Sequence, residues 1–291
     1  MRTAAVLALG VLLSAPGCGS NDAASTASGG PPPGSLEALW KRPGADVALV
    51  MGTSDYAPGL VRVSFLVLTD QARPVERPTA RVWVSLALDQ APFLTGTARL
   101  EDVGEGQRIY VAELDIPDSG TYFLLAEPVG GTRIQGVGNV VVEERTKSPA
   151  VGARAFPSKT PTLADAPAAE LTTSNPPDTE LLRVSVADAL EQKEPFVLVF
   201  ATPKYCASRT CGPVVDVVDA VRRRIPDVHF IHVEIFEENN PALGTNRWVR
   251  EWKLPTEPWV FLVGPEGRIE AKFEGAVSER ELEAAVRRFL T

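Results

Sequence analysis

Short apolar runs separated by turn residues fill the chain from position 45 to position 144. In the run 81–88, apolar Val82, Val84 and Leu86 alternate with other positions, which is typical of a strand with one buried face. The same reading predicts seven strands in all, at 46–51, 61–68, 81–88, 96–100, 109–114, 120–126 and 139–143. This spacing predicts a β-sandwich of immunoglobulin-like type over residues 44–146.

The sequence of the predicted sandwich indicates no catalytic site. It contains no cysteine, so it would lack an inter-sheet disulfide, and no cluster of catalytic side chains stands out in its sequence. We expect a binding or spacer module.

Beginning at position 181, the pattern predicts an alternation of helices and strands. Residues 196–200 read FVLVF, apolar on both faces, which is typical of a buried central strand. Helices are predicted at 186–192 and 213–224, and another through Trp248 and Trp252. A last helix begins at Ser278, with Glu281 at capping-box spacing, and ends at Phe289. Further strands are predicted at 229–236, 259–263 and 268–273, so residues 180–291 form an α/β domain.

The first twenty residues resemble an export signal. A single basic residue, Arg2, precedes the apolar run 4–13, which is too short to span a bilayer as a mature helix. The following APGC resembles a bacterial lipoprotein box, which implies a signal peptide at 1–17 and lipidation of Cys18. We therefore expect an exported lipoprotein on the outer face of the bacterial cell membrane; plain secretion is the alternative.

Two segments are poor in large apolar side chains and rich in small residues and proline. Residues 18–43 carry the anchor cysteine and are expected to form a flexible tether, and residues 147–179 are expected to connect the two domains. No later run has transmembrane length.

Charge and composition limit the classes of function that the chain can have. The chain has 29 Lys and Arg against 37 Asp and Glu, a formal net charge of −8, which argues against a nucleic-acid partner. Its two histidines, His229 and His232, are three residues apart on a predicted strand and so face opposite ways, which argues against a metal site. We expect no cofactor and no metal.

The C-terminal region resembles the thioredoxin superfamily over about 181–291. The resemblance rests on FVLVFATPKYC followed by CGP, on LPTEP before the strand 259–263, and on the final hairpin and helix. It implies a thioredoxin-like fold, and a cis-proline at Pro258 that faces the redox cysteines. It also implies thiol–disulfide exchange with protein thiols or disulfides as substrates and a redox-recycling protein as a further partner.

The candidate redox pair is Cys206 and Cys211. Four residues separate them, where the family has two. Five helical positions rise about 7.5 Å, too far for a disulfide, so Cys206 must lie in the loop and Cys211 at the helix start if they pair. A helix N-terminus stabilises a thiolate, and Lys204 and Arg209 add positive charge nearby. On this basis we expect Cys211 to be the thiolate of low pKa; the sequence leaves open which cysteine attacks.

Three departures from the family leave the activity open. Phe200 stands near the place of a buried carboxylate, Tyr205 replaces a tryptophan, and Glu257 precedes the expected cis-proline. The chain is therefore either a thiol–disulfide oxidoreductase or a non-catalytic binding protein with a degenerate fold and a structural Cys206–Cys211 disulfide. Copper delivery is a third reading, because thiolates select Cu(I). The sequence names neither the substrate nor the direction of electron flow.

Overall fold

The computed structural model describes residues 30–206 and 208–291 of the 291-residue chain. Within it, Pro31–Thr291 form one compact unit. The predicted signal peptide at 1–17 and the predicted lipidation site Cys18 lie outside the described residues. In the described part of the chain, every helix is too short or too polar to cross a membrane.

The first half of the chain forms one sheet of eight strands. These are β1 (Ala45–Asp46), β2 (Ala48–Met51), β3 (Gly59–Leu68), β4 (Thr79–Ser85), β5 (Leu94–Asp102), β6 (Arg108–Ile116), β7 (Gly120–Pro128) and β8 (Ile134–Val142). Their order is β1-β8-β7-β4-β5-β6-β3-β2, with β1 parallel to β8 and the other pairs antiparallel. Since β1 and β2 are consecutive in the chain, one segment joins the two ends and the sheet is nearly closed.

Alternate side chains of this sheet face a common core. On β3, Val63 and Phe65 are fully buried, and Phe65 stacks on Tyr110 of β6 with ring centroids 5.5 Å apart. All seven strands predicted for this region are present, although the predicted strand 46–51 is split into β1 and β2 by Val47. Pairing continues through β4, β5 and β6, so the strands form one hydrogen-bonded sheet.

The second half of the chain forms a sheet of four strands flanked by helices. The strands are β9 (Phe196–Phe200), β10 (His229–Val233), β11 (Trp259–Val263) and β12 (Ile269–Glu274). Their order is β10-β9-β11-β12, with β10 parallel to β9 and the other two pairs antiparallel. The helices of this half are α3 (Val186–Gln192), α4 (Cys211–Arg224), α5 (Arg247–Glu251) and α6 (Glu279–Phe289).

The two faces of this sheet bury different side chains because the strands alternate. Val197 and Val199 of β9 pack towards α4 and α6, whereas Phe196, Leu198 and Phe200 pack on the other face with Trp252. The predicted capping box of Ser278 and Glu281 is present at the start of α6. Strand β10 ends at Val233, three residues before the predicted end.

The two expected connecting segments contain packed structure where they are described. Residues 36–40 form a short helix, α1 (Leu36–Trp40), whose Leu36 is fully buried with Trp83 and Leu125. Within 147–179 lie another short helix, α2 (Ala168–Leu171), and several buried side chains. This segment covers the four-stranded sheet: the buried Ala155 joins the core around Trp252.

Polar contacts join the two halves. The carboxylate of Glu274 on β12 accepts hydrogen bonds from the backbone N–H groups of Ser54 and Asp55, at 2.7 and 2.9 Å. Arg62 of β3 donates to both carboxylate oxygens of Glu281, at 2.7 and 3.0 Å. These partly buried contacts fix the four-stranded sheet against the eight-stranded one.

Gly275 marks a close approach between the two halves. Its φ of +70° is in the left-handed region, and a Cβ there would lie 2.6 Å from the carbonyl oxygen of Gly52. Only glycine fits this position without moving the backbone.

Candidate functional site

Cys206 and Cys211 meet where strand β9 leads into helix α4. The strand ends at Phe200, and a loop that begins with Ala201 carries Cys206 before the helix starts at Cys211. Val214, Val217, Val218 and Val221 bury one side of α4 on the sheet, which fixes where its N-terminus lies. Cys211 is itself fully buried in this core, whereas Cys206 is only partly buried.

The sulfur of Cys206 caps the N-terminus of α4. Thr210, the residue at the N-cap position, makes no side-chain hydrogen bond to the helix. Instead, the backbone N–H of Cys211 donates to Cys206 Sγ across 3.3 Å. The Ser208 hydroxyl lies 3.2 Å from the same sulfur, and Ser208 Oγ is 2.6 Å from Thr210 Oγ1. Several donors therefore converge on one sulfur at the positive end of a helix.

These donors lower the pKa of the Cys206 thiol from 9.0 to about 5. The largest cause is a hydrogen bond from the Cys211 side chain, followed, against the opposing effect of burial, by those from Ser208 and from the backbone of Cys211 and Thr210. The expectation that Cys211 has the low pKa is wrong in this structure. The helix N-terminus acts on the sulfur in front of it, which belongs to the loop residue, and not on the first residue of the helix.

The pKa of Cys211 moves the other way and is raised well above its usual range. Its hydrogen bond to Cys206 is the largest cause, and burial adds to it, because both favour the protonated thiol. The pair thus combines a partly buried thiol of low pKa with a fully buried thiol of raised pKa. Behind Cys211, Thr202 is also fully buried, and its hydroxyl has no hydrogen-bond partner among the described residues.

Pro258 lies directly before strand β11, and the Glu257–Pro258 peptide bond is cis, as the resemblance implies. Glu257 is half-buried. Burial raises the pKa of its carboxyl group, and the negative charge of Cys206 raises it further. This carboxyl group therefore interacts electrostatically with the candidate thiolate.

A hairpin of the eight-stranded sheet touches the cysteine loop. Gln107, in the turn between β5 and β6, donates from Nε2 to the carbonyl oxygen of Arg209 across 3.3 Å. In the same turn, a Cβ at Gly104 would lie 3.3 Å from the Cβ of Pro213 in the first turn of α4. Arg209 has a φ of 59°, in the left-handed region. Sequence reasoning missed this contact because about one hundred residues separate its two sides.

The other residues singled out from the sequence are not part of the cysteine site. Phe200 is fully buried among aromatic rings, and the aromatic ring of Tyr205 meets Phe236 edge-on at 6.4 Å. His229 is half-exposed beside Glu194, and His232 is buried, so they face opposite sides as predicted. In the described part of the chain, no group of three or more His, Cys, Asp or Glu residues could hold a metal ion.

No protein-family model matches the chain, and no curated protein matches it. Among solved structures, the chain is similar to the crystal structure of MtrC from Shewanella baltica OS185, at 12% sequence identity and a TM-score of 0.23. The similarity covers 77% of this chain and 51% of that chain, so the protein spans about half the length of the MtrC structure. A similarity this low carries no conclusion about fold or function.

Proposed function

We propose that the protein catalyses thiol–disulfide exchange outside the cytoplasm, with Cys206 as the attacking thiolate and Cys211 as the resolving thiol. The observation that carries this proposal is the capping of α4 by Cys206 Sγ beside the buried Cys211. A thiol with a pKa of about 5 is almost fully ionised at neutral pH, and the thiolate is the species that attacks a disulfide.

The proposed exchange has two steps. The Cys206 thiolate attacks one sulfur of a client disulfide, which forms a mixed disulfide and releases the other client sulfur as a thiolate. Cys211 then gives up its proton, for which the released client thiolate is a suitable acceptor, and attacks Cys206 Sγ. The Cys206–Cys211 disulfide forms, the second client sulfur leaves, and two electrons have passed from the pair to the client. The reverse sequence oxidises a client dithiol.

Several features of the second half support a thioredoxin-like domain over residues 180–291. Its strand order places β9 in the interior of the sheet, with β10 parallel on one side and β11 antiparallel on the other. The cysteine helix follows β9 directly, and Pro258 precedes β11. We further propose that residues 44–146 form an immunoglobulin-like module that holds the cysteine loop through Gln107.

The cellular location of this activity is part of the proposal. The N-terminal residues resemble a lipoprotein signal, so lipidated Cys18 would tether the protein to the outer face of the cell membrane, where disulfides persist. Client proteins with thiols or disulfides and a redox-recycling protein are the implied partners.

The test compares Cys206→Ser, Cys211→Ser and the wild type in reduction of a mixed-disulfide model substrate. We expect Cys206→Ser to abolish exchange and Cys211→Ser to accumulate a mixed disulfide through Cys206, because only the resolving step is lost. Cys18→Ser is the matched control and should keep full activity. If both single variants in the pair retain full activity, the proposal fails, and a structural disulfide becomes the better account.

A further inference from the structure

A cavity of about 620 Å³ lies beside the edge strand β10, and neither cysteine of the pair is among the residues that line it. The chain around positions 161–171 forms one wall, and the turn after β10 and the start of α5 form the others. Its volume is within the range of small-molecule sites, roughly 300–1,000 Å³. The proposed exchange reaction uses none of the residues that line it.

The cavity is lined by negative charge. Four carboxylates border it, and no lysine or arginine is among the residues that line it. Across the described residues, none of the four forms an ion pair. The four are Glu170, Glu234, Glu237 and Glu238.

Glu234 is the unusual member of this set because it is only 5% exposed. Its Oε2 accepts hydrogen bonds from the backbone N–H and the hydroxyl of Thr173, both at 2.8 Å, and its Oε1 accepts one from the backbone N–H of Ile235 at 3.3 Å, which fixes the side chain in place. Buried carboxylates in proteins are ordinarily balanced by a cation. Here the balancing charge is missing from the cavity lining.

His232 adds a second buried group to the cavity and is 4% exposed. Its Nε2 lies 3.1 Å from the carbonyl oxygen of Ala201, and because a carbonyl only accepts, Nε2 must carry the hydrogen. Burial lowers the pKa of His232, against the opposing effect of the Glu234 charge, and so favours the neutral ring. Nδ1 is then an acceptor, and it has no hydrogen-bond partner within the described part of the chain.

Aromatic side chains complete the lining. Phe236 and Trp248 both border the cavity, and aromatic faces attract organic cations. The Arg247 guanidinium already stacks on the Trp248 indole, 4.7 Å from the ring centroid. Carboxylates, a neutral imidazole acceptor and aromatic rings together favour a ligand that is positively charged, partly apolar and rich in N–H donors.

We infer that this cavity binds a small organic ammonium ion. The ammonium group donates to Glu234 and to Nδ1 of His232, and the exposed carboxylates at positions 237 and 238 supply further negative charge. The apolar part of the ligand lies against Phe236 and Trp248. A bare metal ion does not fit, since no group of three suitable ligands occurs among the described residues.

Calorimetric titration of the full chain with phenethylammonium chloride tests this inference, with 2-phenylethanol as the neutral isostere. We expect saturable one-to-one binding of the ammonium compound and none of the alcohol over the same concentration range. Glu234→Gln should weaken binding about tenfold to a hundredfold, because a hydrogen bond to a charged group is lost. Glu266→Gln, on the exposed β11–β12 turn, is the matched control and should bind like the wild type.

A second readout places the ligand. The chain has only two histidines, so ¹⁵N-histidine spectra resolve both rings, and the ammonium compound should shift the Nδ1 resonance of His232 while His229 stays unchanged. If Glu234→Gln does not fold, Glu238→Gln at the exposed rim should still weaken binding several-fold. Three results would each overturn the inference: binding that does not saturate, equal binding of the alcohol, or Glu234→Gln and Glu238→Gln variants that bind as tightly as Glu266→Gln.

Discussion

The low pKa of Cys206 predicts an unusual pH dependence for its reactivity. In the folded, reduced protein the thiol should titrate at about 5 instead of 9.0. At pH 6 the folded thiol is then roughly 90% ionised and the unfolded one roughly 0.1%, a ratio of about 900. The nucleophilicity of a thiolate falls with its pKa at a Brønsted slope of about 0.4–0.5. A pKa that is lower by about four units therefore makes the thiolate about 40- to 100-fold less reactive.

These two effects give a specific rate profile. At pH 6 the folded Cys206 should react about 10- to 20-fold faster than the same thiol in the unfolded chain. The two rates should be roughly equal near pH 7, and at pH 9 the folded thiol should be about 20- to 50-fold slower, because both forms are then largely ionised. The folded rate should be nearly flat above about pH 6.

Alkylation of the reduced protein, followed by trypsin and mass spectrometry, measures this profile. Cleavage after Lys204 and Arg209 places Cys206 alone in the peptide 205–209, with Cys211 in a separate peptide. Cys211→Ala removes the largest stabilising hydrogen bond and should raise the pKa of Cys206. A folded rate that climbs tenfold per pH unit from pH 6 to pH 8 would refute the reasoning, as would an unchanged profile in Cys211→Ala.

Three further predictions concern stability in urea. Thr202→Val should stabilise the protein by about 1 kcal/mol, since it replaces a buried hydroxyl that has no partner, and a loss of stability would contradict this. Glu274→Ala should cost about 2–4 kcal/mol because two backbone N–H groups lose their acceptor, whereas Glu266→Ala on the exposed turn should change little. The lowered pKa of Cys206 stabilises the reduced fold fully above about pH 9, and this contribution is lost as the pH falls through about 5. Relative to Cys206→Ser, the reduced wild type should therefore lose stability from pH 9 to pH 5, and parallel curves would contradict the linkage.

Local sequence signals predicted the elements that are locally determined. The strands β9 and β11 begin and end at the predicted residues because their apolar runs are sharply bounded, by Pro195 and Pro258 on the N-terminal side. Helix α6 starts at its capping box for the same reason. Strand β8, by contrast, begins five residues before the predicted start. Its glycines have no side chain, so they interrupt the alternation of apolar and polar positions that predicts a strand. Glycine is needed there because of a tertiary contact: a Cβ at Gly136 would lie 2.7 Å from the carbonyl oxygen of Val47.

The pKa values of the two cysteines depend on tertiary contacts, which the sequence does not show. The sequence placed Cys206 in the loop and Cys211 at the helix start, but it could not show that the Cys211 side chain is buried under the helix. The hydrogen bond from this side chain to Cys206, with the burial of Cys211 as the second cause of its own raised pKa, reverses the expected order of the two pKa values. The contact from Gln107 and the cavity around Glu234 combine residues that are distant in sequence, so no local pattern predicts them.

The redox potential of the Cys206–Cys211 pair tests the central proposal most directly. The protein is equilibrated in graded thiol buffers, alkylated and analysed by mass. We expect a two-electron transition between about −120 and −270 mV, the range of known oxidoreductases, because the Cys206 thiolate stabilises the reduced form. A pair that stays oxidised below about −300 mV would indicate a structural disulfide, and a pair that never forms a disulfide would contradict the proposed exchange reaction.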